Sequence, residues 1–139
     1  MKKREPISHI MTKTVVTATL KDDLKTVVEK LRRNAIHHIP IVKGKEVVGI
    51  ISRTDINRLT FGALFEDQED ADEAILKMLS ISQVMTCKPK TVTSDFIVRD
   101  LAKIFVKEDY HALPVVDNGE LKGIVTTTDV VKYFLEQYD

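Results

Sequence analysis

The chain has 139 residues, of which 43% are hydrophobic and 6% aromatic, and this is the size and composition of one soluble globular domain. Its 21 Lys and Arg residues balance its 21 Asp and Glu residues, so it lacks the basic surplus that nucleic-acid binding normally requires. The single Cys87 excludes an internal disulfide, and no apolar run approaches the length of a membrane span, so we expect a cytoplasmic protein that contacts neither nucleic acid nor membrane.

The first half of the chain predicts the element order strand, helix, strand, strand, helix. The first strand is a β-branched run, and the first helix has apolar residues at i, i+3, i+4 and i+7, the spacing of one helix face. The next two strands are apolar runs joined by a short turn with a glycine, which is typical of a hairpin. These five elements are predicted at 14–17, at 24–31, at 39–42, at 47–51 and from near Thr54 onward.

Residues 59–81 are predicted to be an insert between the two halves. It opens with four apolar residues, continues as an acidic run and ends in an apolar segment that is predicted to be helical. These parts are Leu59, Phe61, Leu64 and Phe65, then 66–73, then 74–79. The acidic run lacks the glycine turn and ligand order of a calcium loop, so it is most simply a solvated loop or a helix start. We expect the apolar residues to pack on the core or on another subunit.

The second half predicts the same element order as the first. Its two hairpin strands are joined by an Asn-Gly turn, which is a strong hairpin signal. The elements are predicted at 91–93, at 98–105, at 113–116, at 121–125 and at 130–138. The first strand is displaced by about two residues between the halves, which a loop difference would explain.

The two halves also share three landmarks that recur at one constant offset along the chain. These are Met11-Thr12 with Met85-Thr86, 39–42 with 113–116, and 49–56 with 123–130. Self-similarity at a fixed spacing predicts two equivalent structural units, which usually pack face to face and form two related clefts. The predicted organisation is a tail at 1–6, a first repeat at 7–58, the insert at 59–81 and a second repeat at 82–139.

The turn after the last strand of each repeat reads Gly-x-x-Ser/Thr-x-x-Asp and has two interpretations. Ser52 with Asp55, and Thr126 with Asp129, match a helix capping box, in which the hydroxyl accepts a bond from a free helix amide. The same helix start also offers amides and a positive dipole end to a phosphate, and the carboxylate can accept bonds from two ribose hydroxyls. The turn is therefore suited either to capping or to binding a nucleotide.

Histidines precede the central strand of each repeat. His37 and His111 lie three positions before a proline, and His38 follows in the first repeat only. They are poor metal-ligand candidates, because no cysteine accompanies them and adjacent residues on a helix point apart. They either cap a helix or lie at the surface, or they donate to anionic oxygens at the ends of the clefts.

This combination of motifs resembles the CBS domain, the module named after cystathionine β-synthase, present as a tandem pair called a Bateman module. The resemblance rests on the Met-Thr starts, on the His-x-x-Pro strands and on the two Gly-x-x-Ser/Thr-x-x-Asp turns, and it covers the chain from about Ile7 to Tyr138. It implies an α/β (α+β) fold of two β-α-β-β-α repeats that pack sheet to sheet about a pseudo-twofold axis. It also implies regulatory adenine nucleotides in the two clefts, no catalysis by the module itself, and a homodimer.

The resemblance assigns ligand-binding residues to each cleft. In one cleft, Asp129 would bind the ribose, with Thr126 and Thr128 nearby. The strand of Thr14 and Val16 would contact the adenine, and His37 and His38, which precede Pro40, would face the phosphates. The other cleft would use Asp55, Ser52, Thr91, Tyr110 and His111, with Arg53 as either a phosphate contact or a surface charge. We expect the Asp129 cleft to bind better, because it would contain two histidines and a Thr-rich turn. Histidines in place of several arginines favour AMP or ADP over ATP.

Three hypotheses follow for function. The first is a regulatory module that senses AMP, ADP or ATP, with S-adenosylmethionine as another ligand to test, needs no cofactor or metal, and modulates an unidentified partner. The second is a structural interaction module with empty clefts, in which the apolar part of the insert docks a partner. The third, an enzyme, is the weakest, because the chain has no Gly-x-Ser-x-Gly elbow, no Gly-x-x-x-x-Gly-Lys loop and no metal-ligand cluster.

Overall fold

The computed structural model describes residues 4–59 and 69–138 and contains both helices and strands, so the fold is of the mixed α+β class, as predicted. Its described elements follow in chain order after a short 3₁₀ turn at Ile7–His9. The helices are α1 (Leu24–Arg33), α2 (Arg53–Leu59), α3 (Glu69–Met78), α4 (Ile81–Val84), α5 (Val98–Lys107) and α6 (Thr127–Glu136). The strands are β1 (His38–Lys43), β2 (Glu46–Ser52), β3 (Thr86–Cys87), β4 (Ala112–Asp117) and β5 (Glu120–Thr126).

The chain divides into two compact units that are not contiguous in sequence. The central unit is Val16–Pro89, and the terminal unit combines the segment that ends at Val15 with the chain from Lys90 onward. Each unit therefore contains the helices and hairpin of one predicted repeat together with the Met-Thr landmark of the other repeat. The packing of the two repeats against each other stays a prediction from the sequence.

The central unit is built on the antiparallel hairpin of β1 and β2, in which His38 pairs with Ser52 and Lys43 with Glu46. Strand β3 adds to β2 as a third strand, with Thr86 opposite Ile50. The core lies between this sheet and the helices. Its buried residues are Ala18, Leu24, Val27, Leu31, Ile39, Ile41, Ile51, Ile56 and Ile81.

The terminal unit repeats this arrangement on the hairpin of β4 and β5, in which Ala112 pairs with Thr126 and Asp117 with Glu120. The segment at the start of the first repeat completes it. Ile7 is fully buried in its core, and the backbone N–H and carbonyl of Thr12 bond to those of Ile124 at 2.9 and 3.0 Å. The buried residues of this core are Ile7, Val92, Val98, Leu101, Leu113, Val115, Val125, Val130 and Tyr133.

Two glycines at equivalent positions of the two repeats explain why the Met-Thr landmarks recur. Met85 lies against Gly49 in the central unit, and Met11 lies against Gly123 in the terminal unit, so close that a Cβ atom at either glycine would collide with the methionine sulfur. The flexible thioether fills the space that the missing side chain leaves. Each repeat thus supplies the methionine that packs against the other repeat's glycine.

The first strand predicted in each repeat is wrong. Residues 14–17 and 91–93 form no strand, and pairing is confined to single parallel bridges of Ala18 with Ile41 and of Val92 with Val115. A β-branched run alone does not form a strand, because strand formation depends on a neighbour to pair with. The predicted displacement between the repeats is also wrong, since the bridging residues Ala18 and Val92 keep the same offset as Met11 and Met85.

The other predicted elements are confirmed within a few residues at their ends. Helix α1 shows why it begins and ends where it does. The carboxylate of Asp23 accepts a bond of 2.8 Å from the N–H of Thr26, and this bond holds the pKa of Asp23 below its usual value. At the other end, Ile36 N–H donates to Leu31 and Ala35 N–H to Arg32, with Ala35 at φ +52°, which is a Schellman motif without its usual glycine.

The insert is helical from Glu69, so the acidic run includes a helix start. Helix α3 packs against α1, where Lys25 donates to Glu73 at 3.3 Å, and Leu76 and Leu79 pack against the central core. Leu59 also packs against this core. The predicted docking residues Phe61, Leu64 and Phe65 lie outside the described residues.

Candidate functional site

The Ser-x-x-Asp turn of the central unit forms a reciprocal cap at the start of α2. The N–H of Asp55 donates to Ser52 Oγ at 3.1 Å, and the N–H of Ser52 donates to Asp55 Oδ2 at 2.8 Å. Each side chain thereby satisfies a backbone amide that the helix leaves unpaired. The capping interpretation of this turn is confirmed.

The terminal unit has the same cap at the start of α6. The N–H of Asp129 donates to Thr126 Oγ1 at 3.1 Å, and the N–H of Thr126 donates to Asp129 Oδ2 at 2.9 Å. Both bonds thus have nearly the same lengths as their counterparts at Ser52 and Asp55. The repeat in the sequence is therefore also a repeat of hydrogen-bond geometry.

The histidines lie beside these caps. The carbonyl of His37 accepts a bond of 2.8 Å from the N–H of Arg53, and the carbonyl of His111 accepts one of 3.0 Å from the N–H of Thr127. Both histidines are exposed, and Nε2 of His111 lies 3.8 Å from an exposed carboxylate oxygen of Asp109. In each unit, the fold thus brings a histidine, a hydroxyl and a carboxylate to one end of the hairpin.

The two ends differ in the charge that surrounds the aspartate. Arg58 Nη1 lies 4.0 Å from Asp55 Oδ1, the oxygen that the cap does not use. Among the described residues, none donates a hydrogen bond to Asp129 Oδ1. Because a carboxylate can accept about four hydrogen bonds, Asp129 keeps more of its capacity for a further donor.

Arg53 has a role that the sequence did not indicate. Its Nη2 points to the carbonyls of Leu31 and Ile36, at 3.5 and 3.4 Å, at the end of α1. A cation at a helix C-terminus is favourable, because the exposed carbonyls carry partial negative charge. The counterpart Thr127 lacks this contact, so the two units also differ in how their second helix is joined to the first.

The remaining predicted site residues fall into exposed and buried groups. Thr14, Thr91, Thr128 and Tyr110 are exposed, whereas Val16 packs against the central core and Pro40 is buried. The carbonyl of Pro40 accepts a bond of 3.1 Å from the N–H of Ala18. Both predicted clefts combine side chains from the central and the terminal unit, and their assembly stays a prediction.

Sequence reasoning missed one repeated feature near the carboxylates. A basic residue follows each aspartate three positions later, Arg58 after Asp55 and Lys132 after Asp129, so the two basic residues correspond in the repeats. The offset that identified the other landmarks would have found this pair. In the described part of the chain, no group of three His, Cys, Asp or Glu side chains is arranged to hold a metal ion, and no helix is long and apolar enough to cross a membrane.

The family profile of the CBS domain matches residues 7–61 and 81–136, which is most of the chain. The chain belongs to the CBS domain family. Both copies of the profile end in the capped turn and the helix that follows it. The caps at Asp55 and Asp129 therefore lie in a CBS domain pair.

Similar proteins span a range of sizes. The uncharacterized protein MJ1225 of Methanocaldococcus jannaschii is 33% identical over 132 residues, which cover 94% of this chain and 47% of that protein. A crystal structure of MJ1225 matches with a TM-score of 0.79 and 30% identity, over 96% of this chain and 49% of the other. The CBS pair therefore spans about half the length of this relative.

Two further structures are matched over nearly their whole length. The CBS domain pair of protein MJ0100, in complex with 5′-methylthioadenosine and S-adenosyl-L-methionine, is 26% identical with a TM-score of 0.74, over 93% of this chain and 98% of the other. CBSX2 of Arabidopsis thaliana in complex with AMP is 22% identical with a TM-score of 0.80, over 97% and 99%. At that identity, CBSX2 supports the fold alone.

Proposed function

We propose that this CBS domain pair is a regulatory module that binds an adenine nucleotide and modulates a partner protein, without a catalytic activity or a required cofactor of its own. The observation that carries the proposal is the pair of capped turns, each with a carboxylate whose second oxygen is not used by the cap. The complex of MJ0100 with two adenosine derivatives supports the same class of ligand.

Asp129 is the stronger candidate for the ribose. Its Oδ2 is held by the cap and its Oδ1 receives no donor from the described residues, so two vicinal hydroxyls can donate to it without breaking the helix start. Asp55 has Arg58 close to its second oxygen, which competes for the same lone pairs. We therefore expect two sites of unequal affinity, with the tighter one at Asp129.

The residues proposed to face the phosphates favour a ligand with few negative charges. His37 and His38 would serve the Asp129 site, and an imidazole is a weaker phosphate partner than a guanidinium, which is always charged and binds phosphate through two parallel hydrogen bonds. The guanidinium of Arg53 is directed to the end of α1, so it adds little to phosphate binding in its present position. AMP or ADP is therefore proposed ahead of ATP, and S-adenosylmethionine, which lacks phosphate, is the alternative ligand.

The test is calorimetry with AMP, ADP, ATP and S-adenosylmethionine on the wild type and on Asp129→Asn. The amide preserves an oxygen for the cap but replaces the second oxygen by a donor, so we expect affinity to fall about 10- to 100-fold, the equivalent of roughly 1.5–3 kcal/mol. Asp23→Asn is the matched control, because it makes the same change at the cap of α1. The control should leave affinity unchanged.

Two outcomes contradict the proposal. An unchanged affinity in Asp129→Asn would place the ribose elsewhere. No heat with any of the four compounds at millimolar concentration would favour the structural alternative, in which the caps are the whole role of both aspartates. The structural alternative is consistent with the reciprocal hydrogen bonds within each cap, because these bonds already give both aspartates a role in the fold.

The proposed module also acts beyond its own chain. We propose a homodimer and a regulated protein that the sequence does not identify. The chain spans about half the length of MJ1225.

A further inference from the structure

Two methionines make the same contact in the two units. Each methionine ends a single turn whose first carbonyl belongs to a fully buried isoleucine. The N–H donor and carbonyl acceptor are Met11 with Ile7, and Met85 with Ile81, both at 2.9 Å. The thioether then fills the space over a glycine that has no side chain. We call residues 7–12 and 81–86 the anchor segments, because each attaches to the hairpin of its unit at this contact.

The backbone of each glycine leaves no space for a further atom on its side of the methionine. A Cβ atom on Gly123 would lie 2.7 Å from the sulfur of Met11. A Cβ atom on Gly49 would lie 2.9 Å from Cγ of Met85 and closer still to its sulfur. Both methionines pack against the cores but are only half-buried, so a small solute can reach them from the solvent. A product larger and more polar than the thioether does not fit against the glycine.

Few backbone bonds hold the anchor segments beyond the methionines. In the terminal unit, Thr12 and Ile124 exchange two bonds of 2.9 and 3.0 Å. In the central unit, strand β3 has only two residues, and just after it the N–H of Lys88 donates to Val48 at 3.3 Å. Because this pairing is so short, its persistence depends on the neighbouring methionine contact.

We propose that Met11 and Met85 are sites of reversible oxidation, at which a peroxide releases the anchor segments from their hairpins. The sulfur lone pair attacks one oxygen of hydrogen peroxide, an S–O bond forms, the O–O bond breaks and water leaves. The sulfur is oxidised by two electrons and the peroxide is reduced by two. The product is methionine sulfoxide, which is polar and which methionine sulfoxide reductases return to the thioether with a thiol as reductant.

The sulfoxide is unfavourable in this position because its oxygen only accepts hydrogen bonds. At Gly123, the carbonyl oxygen of Thr12 lies 2.8 Å from the same Cβ position, and two acceptors cannot bond to each other. A buried acceptor without a donor is costly, and a side chain that turns out to water leaves a cavity over the glycine. The three atoms nearest to the Gly49 position all belong to Met85, so we expect the larger effect at Met11.

This inference goes beyond the proposed nucleotide binding and does not require it. Thr14 and Val16, which are proposed to contact the adenine, follow the first anchor segment, and Thr91 follows the second. Oxidation should therefore also lower nucleotide affinity, and only this consequence rests on the proposed function. Oxidation and release of the segments are measured without a nucleotide, so failure of either proposal can be observed separately.

The experiment starts from Cys87→Ser, because the exposed thiol of Cys87 also reacts with peroxide. After treatment with hydrogen peroxide, peptide mass spectrometry measures the oxygen added at each methionine. Nuclear magnetic resonance measures the hydrogen exchange of individual amides, which reports local opening. Met78 at the end of α3 is 81% exposed and serves as the matched control within the same molecule. It should be oxidised first, without a change in the exchange of the anchor segments.

Oxidation of the two half-buried methionines should then accelerate exchange in their own units. With oxygen at Met11, the amides of Thr12 and Ile124 should exchange about tenfold faster or more, the factor that an unsatisfied buried acceptor produces. With oxygen at Met85, the amide of Lys88 should respond in the same direction. Both methionine sulfoxide reductases together, one for each sulfoxide epimer, should restore the original rates. Singly oxidised species separated by chromatography assign each effect without a substitution that could prevent folding.

Three results would overturn the inference. If Met11 and Met85 stay unoxidised when Met78 is fully oxidised, peroxide does not reach them. If they are oxidised and exchange is unchanged, the contact with the glycine tolerates the oxygen. If exchange accelerates when Met78 alone is oxidised, the effect does not arise at the glycines.

Discussion

Replacing each of the two repeated glycines by alanine should have unequal effects on stability. In Gly123→Ala, the new Cβ would lie 2.7 Å from the sulfur of Met11 and 2.8 Å from the backbone carbonyl oxygen of Thr12. In Gly49→Ala, the three nearest atoms all belong to the side chain of Met85. A methionine side chain can rotate away, whereas a backbone carbonyl moves only with its strand.

The magnitude follows from the bonds that the carbonyl makes. Thr12 exchanges two backbone hydrogen bonds with Ile124, each worth about 1 kcal/mol net, and overpacking adds about 1–3 kcal/mol. The reduced freedom of the unfolded chain returns about 0.4–1 kcal/mol. We therefore expect Gly123→Ala to lower the free energy of unfolding by about 2–4 kcal/mol, and Gly49→Ala by about 1 kcal/mol.

The assay is urea unfolding at about 25 °C with two probes. All three tyrosines lie in the terminal unit and the chain has no Trp, so tyrosine fluorescence reports that unit, while far-ultraviolet circular dichroism reports both. Met85→Ala should rescue Gly49→Ala, but Met11→Ala should rescue Gly123→Ala only in part, because the carbonyl of Thr12 remains. Equal losses from the two glycine variants, or full rescue by Met11→Ala, would refute this reasoning.

Three further changes test individual residues by the same unfolding assay. Ala35→Gly should raise the free energy of unfolding by about 0.5–1 kcal/mol, because Ala35 has φ +52° at the end of α1; a loss would contradict this. Tyr133→Phe should raise it by about 1 kcal/mol, since the buried Tyr133 hydroxyl has no partner in the described structure; a loss above about 1 kcal/mol would imply a hidden partner. Hydrogen bonds from the hydroxyl and the N–H of Ser94 lower the pKa of Asp117, so the contribution of Asp117 to the free energy of unfolding is complete above the unfolded value of 3.8 and is lost as the pH falls through the lower folded value. In Asp117→Asn, the free energy of unfolding should therefore depend less on pH between about pH 5 and 3. An unchanged pH dependence would contradict this.

The sequence predicts the local elements well, because their signals are contained in a few neighbouring residues. The helix periodicity of α1, the Asn-Gly turn between β4 and β5 and the capped turns each depend on interactions over three to seven positions. The first strand of each repeat was predicted wrongly, because only a single parallel bridge forms there and its partner is distant in the sequence. Ala18 bonds to the strand of Pro40 and Val42, and no pattern within residues 14–17 specifies that pairing.

The exchange of segments between units is the part of the fold that sequence reasoning could not reach. The repeats identified Met11 and Met85 as landmarks, but a repeat does not say which copy its landmark contacts. The structure places Met11 against Gly123 and Met85 against Gly49. Each glycine is needed because a methionine of the other repeat packs against it. This contact joins residues that are far apart in the sequence, so no local pattern predicts it.

For the candidate site, the sequence predicted the correct residue types and left their role open. Both aspartates cap helices, and this role alone would account for the Ser/Thr-x-x-Asp spacing. Capping does not compete with the proposed binding, because it uses one carboxylate oxygen and fixes the position of the other. A carboxylate held in this way loses little side-chain entropy when a ribose binds, so the cap improves the acceptor that the ligand would use.

The proposed ribose site lies at the start of α6, because Asp129 is in the first turn of that helix. Its carboxylate is joined to the helix start by the cap, so a ligand that shifts this carboxylate also shifts the first turn of α6. A ligand changes the binding of a partner protein only if it binds the free and the partner-bound module with different affinities, and the partner then changes ligand affinity by the same factor. The proposed regulation is therefore testable from either side, because a partner that responds to the nucleotide must also change the affinity for that nucleotide.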